Sequence, residues 1–434
     1  MRRTDGLRRM DENRHISVTR TDQGPRAVVV PFQRSYFLRK KMHFYLLVAV
    51  IATTLLSWFN LNSWLIILLA ACRLFDGRPV AAVRTAFSNQ WFLAWFAVFA
   101  LEVGGLFHTH DLYAAWKHVE SKATLVAIPF IVCGGPFTDR DGYRRFCQVY
   151  TLLLGVLCLF CLSTALSAFV RTGDASVFFY HALTAALGSN AVFFSGYLLM
   201  ALLFLLAGPF TGKGRSAQTA RAALILFFTG MMVLLASKLM LVLLAVVLVL
   251  YLTVRYRVRV EPWRFVAAAI PLVLGILVLS LTSNPVRQRY SEVMRDQRNS
   301  ISLRLFIWRC AGEILTEERA WTFGVTAGDS RDLLSQKYLA AGLSRGYIGY
   351  DCQNQYVEVL LRSGITGLCV FLAAAGLLIG LAHRKDTLEC WIAVLAILLL
   401  AFTESTLEMQ QPAFLSCFFP LFFIGKRRTP KNSA

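Results

Sequence analysis

The sequence predicts an all-α fold, a polytopic membrane helix bundle of about 12 transmembrane helices with one long lid loop. Three observations carry that prediction. Of 434 residues, 56% are hydrophobic and only 16% are charged, against about a quarter charged in soluble domains. The apolar residues gather into runs near the ~20 residues that a bilayer requires. The junctions between runs alternate between basic and non-basic, as the positive-inside bias demands.

Residues 1–41 open the chain with "MRRTDGLRRMDENR" and close with "FLRKK". No apolar core or small-residue cleavage site marks a signal peptide, so the segment reads as a disordered basic cytoplasmic arm that anchors the first span at anionic lipid. This arm holds a large share of the formal net charge of +20. No aromatic or glycine-rich recognition module accompanies that charge, which argues against nucleic-acid binding.

Apolar runs predict spans near 42–59, 61–75, 90–107, 119–136, 146–169, 188–209, 218–236, 238–254 and 264–282, then 356–382, 388–404 and 412–425. Arg73, Arg78 and Arg84, then "DRDGYRR", "GKGR", "RYRVRVEPWR" and "HRK" fill the even-numbered junctions, and "GKRRTPK" follows the last run in the 426–434 tail. The opposite junctions are uncharged ("FNLNS"), mixed ("HTHDLYAAWKHVESK") or acidic ("TESTLEMQQ"). Both termini are therefore expected in the cytoplasm, and the loop 283–355 on the outer side. That loop mixes ten basic with eight acidic residues, a folded lid's composition. Within it "SISLRLFIWRCAGEIL" has one broad apolar face behind serine caps, and "AGLSRGYIGY" has turn chemistry. The bundle then divides into spans 1–9 (42–282) and spans 10–12 (356–425).

Ionisable groups in or near a bilayer are costly and so mark function. Lys238 follows "MMVLLAS" at an outward turn, where it either snorkels or offers fixed positive charge to a diphosphate. Arg304 on the lid helix either pairs in solvent or clamps phosphate oxygens in two-pronged fashion; Arg298 and Arg309 compete for that role. Glu404 and Glu408, four apart, are expected on one helical face at the outward end of span 11, as base, as partners of Arg304 or as plain interfacial polarity. His181 precedes span 6 and reads as structural or catalytic. Glu102 is the nearest thing to a mid-membrane charge, too little to favour a transporter. Most of the ten cysteines lie in apolar runs; Cys310 and Cys352, both in the lid, are candidates for a disulfide. No metal site and no cofactor is expected.

The run "QNQYVEVLLRSGITGL" resembles the signature of the O-antigen ligase and O-antigen polymerase family, in which His-Asn precedes an apolar helix and a Gly-x-x-Gly pair. "SISLRLFIWRCAGEIL" is similar to that family's arginine-bearing lid helix, and "ASKLMLV" to its Ser-Arg turn. "KHVESKATLVAIPFIV", "FFYHALTAALGSNAVFFSGYLL" and "FTESTLEMQ" further resemble the version found in Bacteroidetes-type bacteria. The resemblance implies a multi-pass protein of the bacterial inner membrane. It implies metal-independent, inverting transfer of a glycan from a polyprenyl diphosphate to lipid A–core or to another glycan. Arg304 and Lys238 match the family's diphosphate-binding arginines, Gln353 stands where the family has its histidine, and Asn354, His181, Glu404 and Glu408 are expected around the substrates. A carboxamide does not titrate near neutral pH, so Gln353 is expected to position an acceptor hydroxyl while Glu404, Glu408, Asp351 or His181 takes the proton. The alternative is a non-catalytic relative that binds lipid-linked glycan in an export system.

Overall fold

A computed structural model describes residues 31–75, 79–133, 140–207, 214–255, 300–343, 345–385 and 387–425; within these a few side chains, Lys238 among them, lie outside the description. The chain divides into Met1–Lys41, of which only the start of one helix is described, and Met42–Ala434. The expected ninth span at 264–282, the first part of the lid loop with Arg298, most of the basic arm and the C-terminal tail all fall outside the described residues.

The described elements are helical, with no strand among them. In chain order they are α1 (Pro31–Leu55), α2 (Phe59–Phe75), α3 (Pro79–Phe87), α4 (Gln90–Gly105), α5 (Leu112–Lys122), α6 (Thr124–Val132), α7 (Arg140–Thr172), α8 (Tyr180–Thr184), α9 (Ala191–Ala207), α10 (Arg215–Leu235), α11 (Lys238–Arg255), α12 (Ser300–Glu317), α13 (Thr326–Ala340), α14 (Gln355–Lys385), α15 (Leu388–Thr403) and α16 (Gln410–Gly425). Among the described residues three helices, α7, α10 and α14, are long and apolar enough to cross a membrane alone. A fourth is added if α8 and α9 with their 81° bend form one span; α2, α4, α15 and α16 are shorter apolar helices. The fourth expected span, 119–136, is two helices, α5 and α6. Polar α5 lies beyond the apolar stretch and α6 carries Pro129.

Helix α9 is buried from Ala191 to Leu206. A helix apolar all round belongs at a bundle's centre, and α9 packs against α7, α10, α11, α15 and α16. Phe204 meets Tyr143, Phe146 and Tyr150 of α7 and Phe419, Phe422 and Phe423 of α16. Two buried tyrosines tie the helices together: the Tyr150 hydroxyl donates to the Tyr197 carbonyl at 2.8 Å, and the Tyr197 hydroxyl to the Gln411 carbonyl at 2.7 Å. Cys158 and Cys161, spaced Cys-x-x-Cys in α7, are free thiols in this core.

A second, smaller core joins α12 and α13 to the chain around Cys352 and Leu361. Asp329 fastens this unit to the turn between α4 and α5. Its carboxylate accepts from the His110 and Asp111 amides, both at 3.0 Å, and from the Thr109 and Thr326 hydroxyls at 3.3 and 3.1 Å. Burial opposes the charge, yet the two amides outweigh it and hold the Asp329 carboxyl below its usual range.

The Gly-x-x-Gly pair serves a different geometry from close helix–helix approach. α14 breaks at Gly364, where φ is 63° and ψ is −164°. Ile365 and Thr366 amides donate to the Trp321 and Thr322 carbonyls at 2.8 and 3.2 Å, and the Val325 amide to the Leu361 carbonyl at 2.9 Å. A Cβ on Gly364 would lie 2.4 Å from the Thr322 carbonyl carbon, and one on Gly324 2.2 Å from that of Arg362. Two backbones touch here, and the freed peptide groups of the broken helix find partners in the α12–α13 connection. The expected span from residue 356 is therefore a short helix carrying Glu358 and Arg362, a break and then an apolar helix.

Candidate functional site

Three side chains converge where α12 meets the start of α14 and the end of α15. Arg304, one turn into α12, donates through Nε to Gln353 Oε1 at 3.3 Å and through Nη2 to Glu404 Oε1 at 3.2 Å. Trp308, the next turn of the same face, donates its indole N–H to the Cys352 carbonyl at 3.0 Å and sets its ring edge-on to Phe402, 5.9 Å between centroids. These contacts pin α12 over the Gln353 turn. Gln353 itself holds a φ of 47°, in the left-handed region that costs a residue with a Cβ about 1–2 kcal/mol. The Asp351 carboxylate stabilises it by accepting from the Gln353 amide at 2.9 Å.

Glu404 caps the end of α15 with extended backbone. Burial pushes its carboxyl up to about 7, with Asp351 adding to the rise and Arg304 partly offsetting it. Asp351 is likewise raised, by burial first and then by the Glu408 charge. A carboxyl poised near neutrality beside an arginine is suited to taking up a proton at physiological pH.

Below this trio lies a buried charge network. Glu408 Oε1 is 2.7 Å from Lys122 Nζ, and Glu408 Oε2 is 2.5 Å from Arg362 Nη1. Arg362 also pairs with Glu358 on its own helix, approaches His118 Nε2 at 2.7 Å and donates through Nε to Ser330 Oγ at 3.2 Å. Glu102 completes the set, 3.4 Å from His118 Nε2. Burial works against the Glu408 charge, but Arg362 and Lys122 overcome it and hold the carboxyl well below its usual range. Burial, then the Arg362 and Lys122 charges, pull the His118 imidazole down toward its neutral form.

Several expectations from the sequence are corrected by this geometry. Glu404 and Glu408 do not share a helical face, because α15 ends at Thr403 and the turn that follows sends the two carboxylates to different partners. Glu408 is 1% exposed and paired with two cations. Asn354 is buried, and its side-chain carbonyl caps α14 by accepting from the Tyr356 and Val357 amides at 2.9 and 3.3 Å. His181 Nδ1 accepts from the Ala191 amide at 3.3 Å, at the start of α9. Cys310 and Cys352 are free thiols, buried in the same small core, so the candidate disulfide is not formed. Arg309 is exposed and paired with Glu313 along α12, which leaves Arg304 as the described lid arginine that faces Gln353. Lys238 opens α11, but its side chain lies outside the described residues. Among the described residues no group of three or more His, Cys, Asp or Glu side chains could hold a metal ion.

Sequence reasoning passed over Lys122, His118, Glu358 and Arg362. The signal was present: Glu358 and Arg362 stand four apart inside a run read as a span, and two charges there are costly unless paired.

The fold and the site define a helical membrane protein in which a two-helix unit holds an arginine over a polar turn and a titratable carboxyl. The family model described as O-antigen ligase matches residues 222–372, about a third of the chain. The matched stretch contains Lys238, Arg304 and Gln353, and it supports both the O-antigen ligase/polymerase resemblance and glycan transfer of that general type. No curated protein matches the chain.

Proposed function

We propose that the protein transfers a glycan from a polyprenyl diphosphate carrier to lipid A–core or to another glycan, at the periplasmic face of the bacterial inner membrane, with both termini cytoplasmic. The observation that carries this reading is the convergence of Arg304, Gln353 and Glu404, the first two within the family match. Arg304 uses two of its N–H groups on Gln353 and Glu404, and the remainder are available to phosphate oxygens. Lys238, at the start of α11, supplies further charge to the same diphosphate. Gln353 orients the acceptor hydroxyl. Glu404 removes its proton, the freed oxygen attacks the anomeric carbon from the face opposite the carrier, and the C–O bond to phosphate breaks with its electron pair leaving on the diphosphate. The sugar inverts, and Arg304 neutralises the departing charge where it develops.

Gln353 in the place of a histidine favours a second reading, a glycan-binding relative without turnover.

The test uses membranes containing the full-length protein and a lipid-linked glycan donor with its acceptor, no metal added. Transfer by the natural protein and loss of at least ~100-fold in Arg304→Ala supports the proposal; binding without transfer, with transfer gained in Gln353→His, supports the second reading. Unimpaired transfer by Arg304→Ala refutes the assigned role.

A further inference from the structure

Six ionisable side chains from four stretches of chain meet in the network beneath the site: Glu102, His118, Lys122, Glu358, Arg362 and Glu408. None takes part in the transfer step proposed above, and a buried charge network is weak evidence for stability. Well-packed apolar replacements are often as stable, while removal of one partner from a buried pair costs several kcal/mol. Their retention calls for another account, and their connections supply one.

The network touches both loops that build the site, and it touches them through backbone. Glu358 accepts at 2.8 Å from the amide of Cys352, the residue immediately before Gln353 with its positive φ. Lys122 donates to the Leu407 carbonyl and to Glu408, and Gln355, beside Asn354, accepts from the Leu407 amide at 2.7 Å. These contacts fix the Glu404–Met409 turn, whose first residue is Glu404. Arg362 is the shared member. One guanidinium bridges Glu358, which holds the Gln353 turn, and Glu408, which holds the Glu404 turn. Its Nε reaches Ser330 of α13, and α13 is anchored in turn through Asp329 to the His110 and Asp111 amides.

We propose that Arg362 and Glu408 are positioning residues: their pair locks the Gln353 turn and the Glu404 turn to each other, so that Arg304 meets both at once. The role in turnover rests on the glycan-transfer reading, whereas the locking itself does not. Arginine suits the task because its fork serves two carboxylates in fixed directions, and burial of the pair keeps water from competing. Misplacement of catalytic groups by about 1 Å costs on the order of 100-fold in rate, so a lock of this kind has a large effect without touching substrate.

The experiment is hydrogen exchange by mass spectrometry on the full-length protein in detergent, natural sequence against Glu408→Gln, followed through peptides covering 350–355 and 404–409. The Gln variant keeps the shape and removes the charge. The expected result is exchange faster by at least ~10-fold in both peptides, with peptides of α7 and α9 unchanged. In transfer assays the same variant is expected to lose 10- to 100-fold in kcat with KM within about threefold. If Glu408→Gln does not fold, Arg362→Lys, which keeps the charge and loses the fork, carries the same expectations. Faster exchange at 404–409 with 350–355 unaltered overturns the lock, as does loss of turnover with exchange unaltered at both, which would assign Glu408 a direct role. Both peptides loosening with kcat unchanged overturns the positioning role. A natural protein that transfers no glycan refutes the function proposed above, and the exchange comparison still decides the lock.

Discussion

Replacing Glu404 by Gln is expected to make the protein more stable at alkaline pH while it abolishes most of its activity. The native carboxyl sits near 7 against an ordinary 4.5. Native protein thus binds this proton more tightly than unfolded chain does, and the stability it contributes is complete below about 4.5 and lost as pH rises through 7. At about 1.4 kcal/mol per tenfold change in proton affinity, the shift corresponds to about 3 kcal/mol at most. Glu404 is 21% exposed, so screening reduces this toward 1–2 kcal/mol. Gln has the size of a protonated Glu and pays no such penalty at any pH. Thermal unfolding in detergent should show Glu404→Gln equal to the natural protein near pH 4.5 and more stable by 1–2 kcal/mol near pH 8. Turnover should fall by about 100- to 10,000-fold, the usual worth of a general base. In the natural protein, turnover should rise with pH through about 7 on its acid side, because the base must be ionised. An identical stability difference at both pH values, or turnover in Glu404→Gln within threefold of natural, would refute the assignment.

Asp329→Ala removes an acceptor from two amides and the Thr109 hydroxyl at the α4–α5 turn and from the Thr326 hydroxyl of α13. At roughly 1.5–3 kcal/mol per charge-assisted bond, only partly additive, a loss of about 2–4 kcal/mol is expected, read as faster proteolysis within α13. Gly364→Ala combines a left-handed backbone with a Cβ 2.4 Å from the Thr322 carbonyl carbon, and little folded protein should be recovered by size-exclusion chromatography. Gly376→Ala, on the same helix with nothing within 4 Å, is the control and should be neutral or better by up to ~1 kcal/mol. Cys310 and Cys352 should both be alkylated after denaturation without reductant, with gel mobility unaltered by reduction.

Much of the helical framework was legible because a membrane imposes a simple rule of length and hydropathy on each segment. α2, α4, α7, α10, α11, α15 and α16 fall close to the predicted runs. The rule failed where helices do not run straight through. Apolar residues from 119 to 136 read as one span, although the polar face of α5 and the proline in α6 divide it. The run from 356 hides a break at Gly364, since Gly-x-x-Gly looks the same whether it serves helix packing or a reversal of backbone. Glu404 and Glu408 looked like one face for a related reason: a spacing of four means a shared face only while the helix continues, and α15 stops at Thr403.

The site divides along the same line. Arg304 and Gln353 were legible through local motifs, each recognisable from its own neighbours in sequence. The buried network is made of pairs whose members lie far apart, such as Lys122 with Glu408 and Arg362 with His118. No local pattern announces such a pair, but each member leaves the same mark, an ionisable residue where apolar ones prevail. Glu358 and Arg362 satisfy each other within one helix, and that pairing made them look self-sufficient. Yet a helix with one internal ion pair has no need of a further carboxylate, and Arg362 has Glu408 as well. An arginine shared by two carboxylates leaves a negative excess that Lys122 offsets. Glu358, Arg362, Glu408 and Lys122 thus balance one another across three stretches of chain, and the two turns that carry Gln353 and Glu404 are held where those stretches meet.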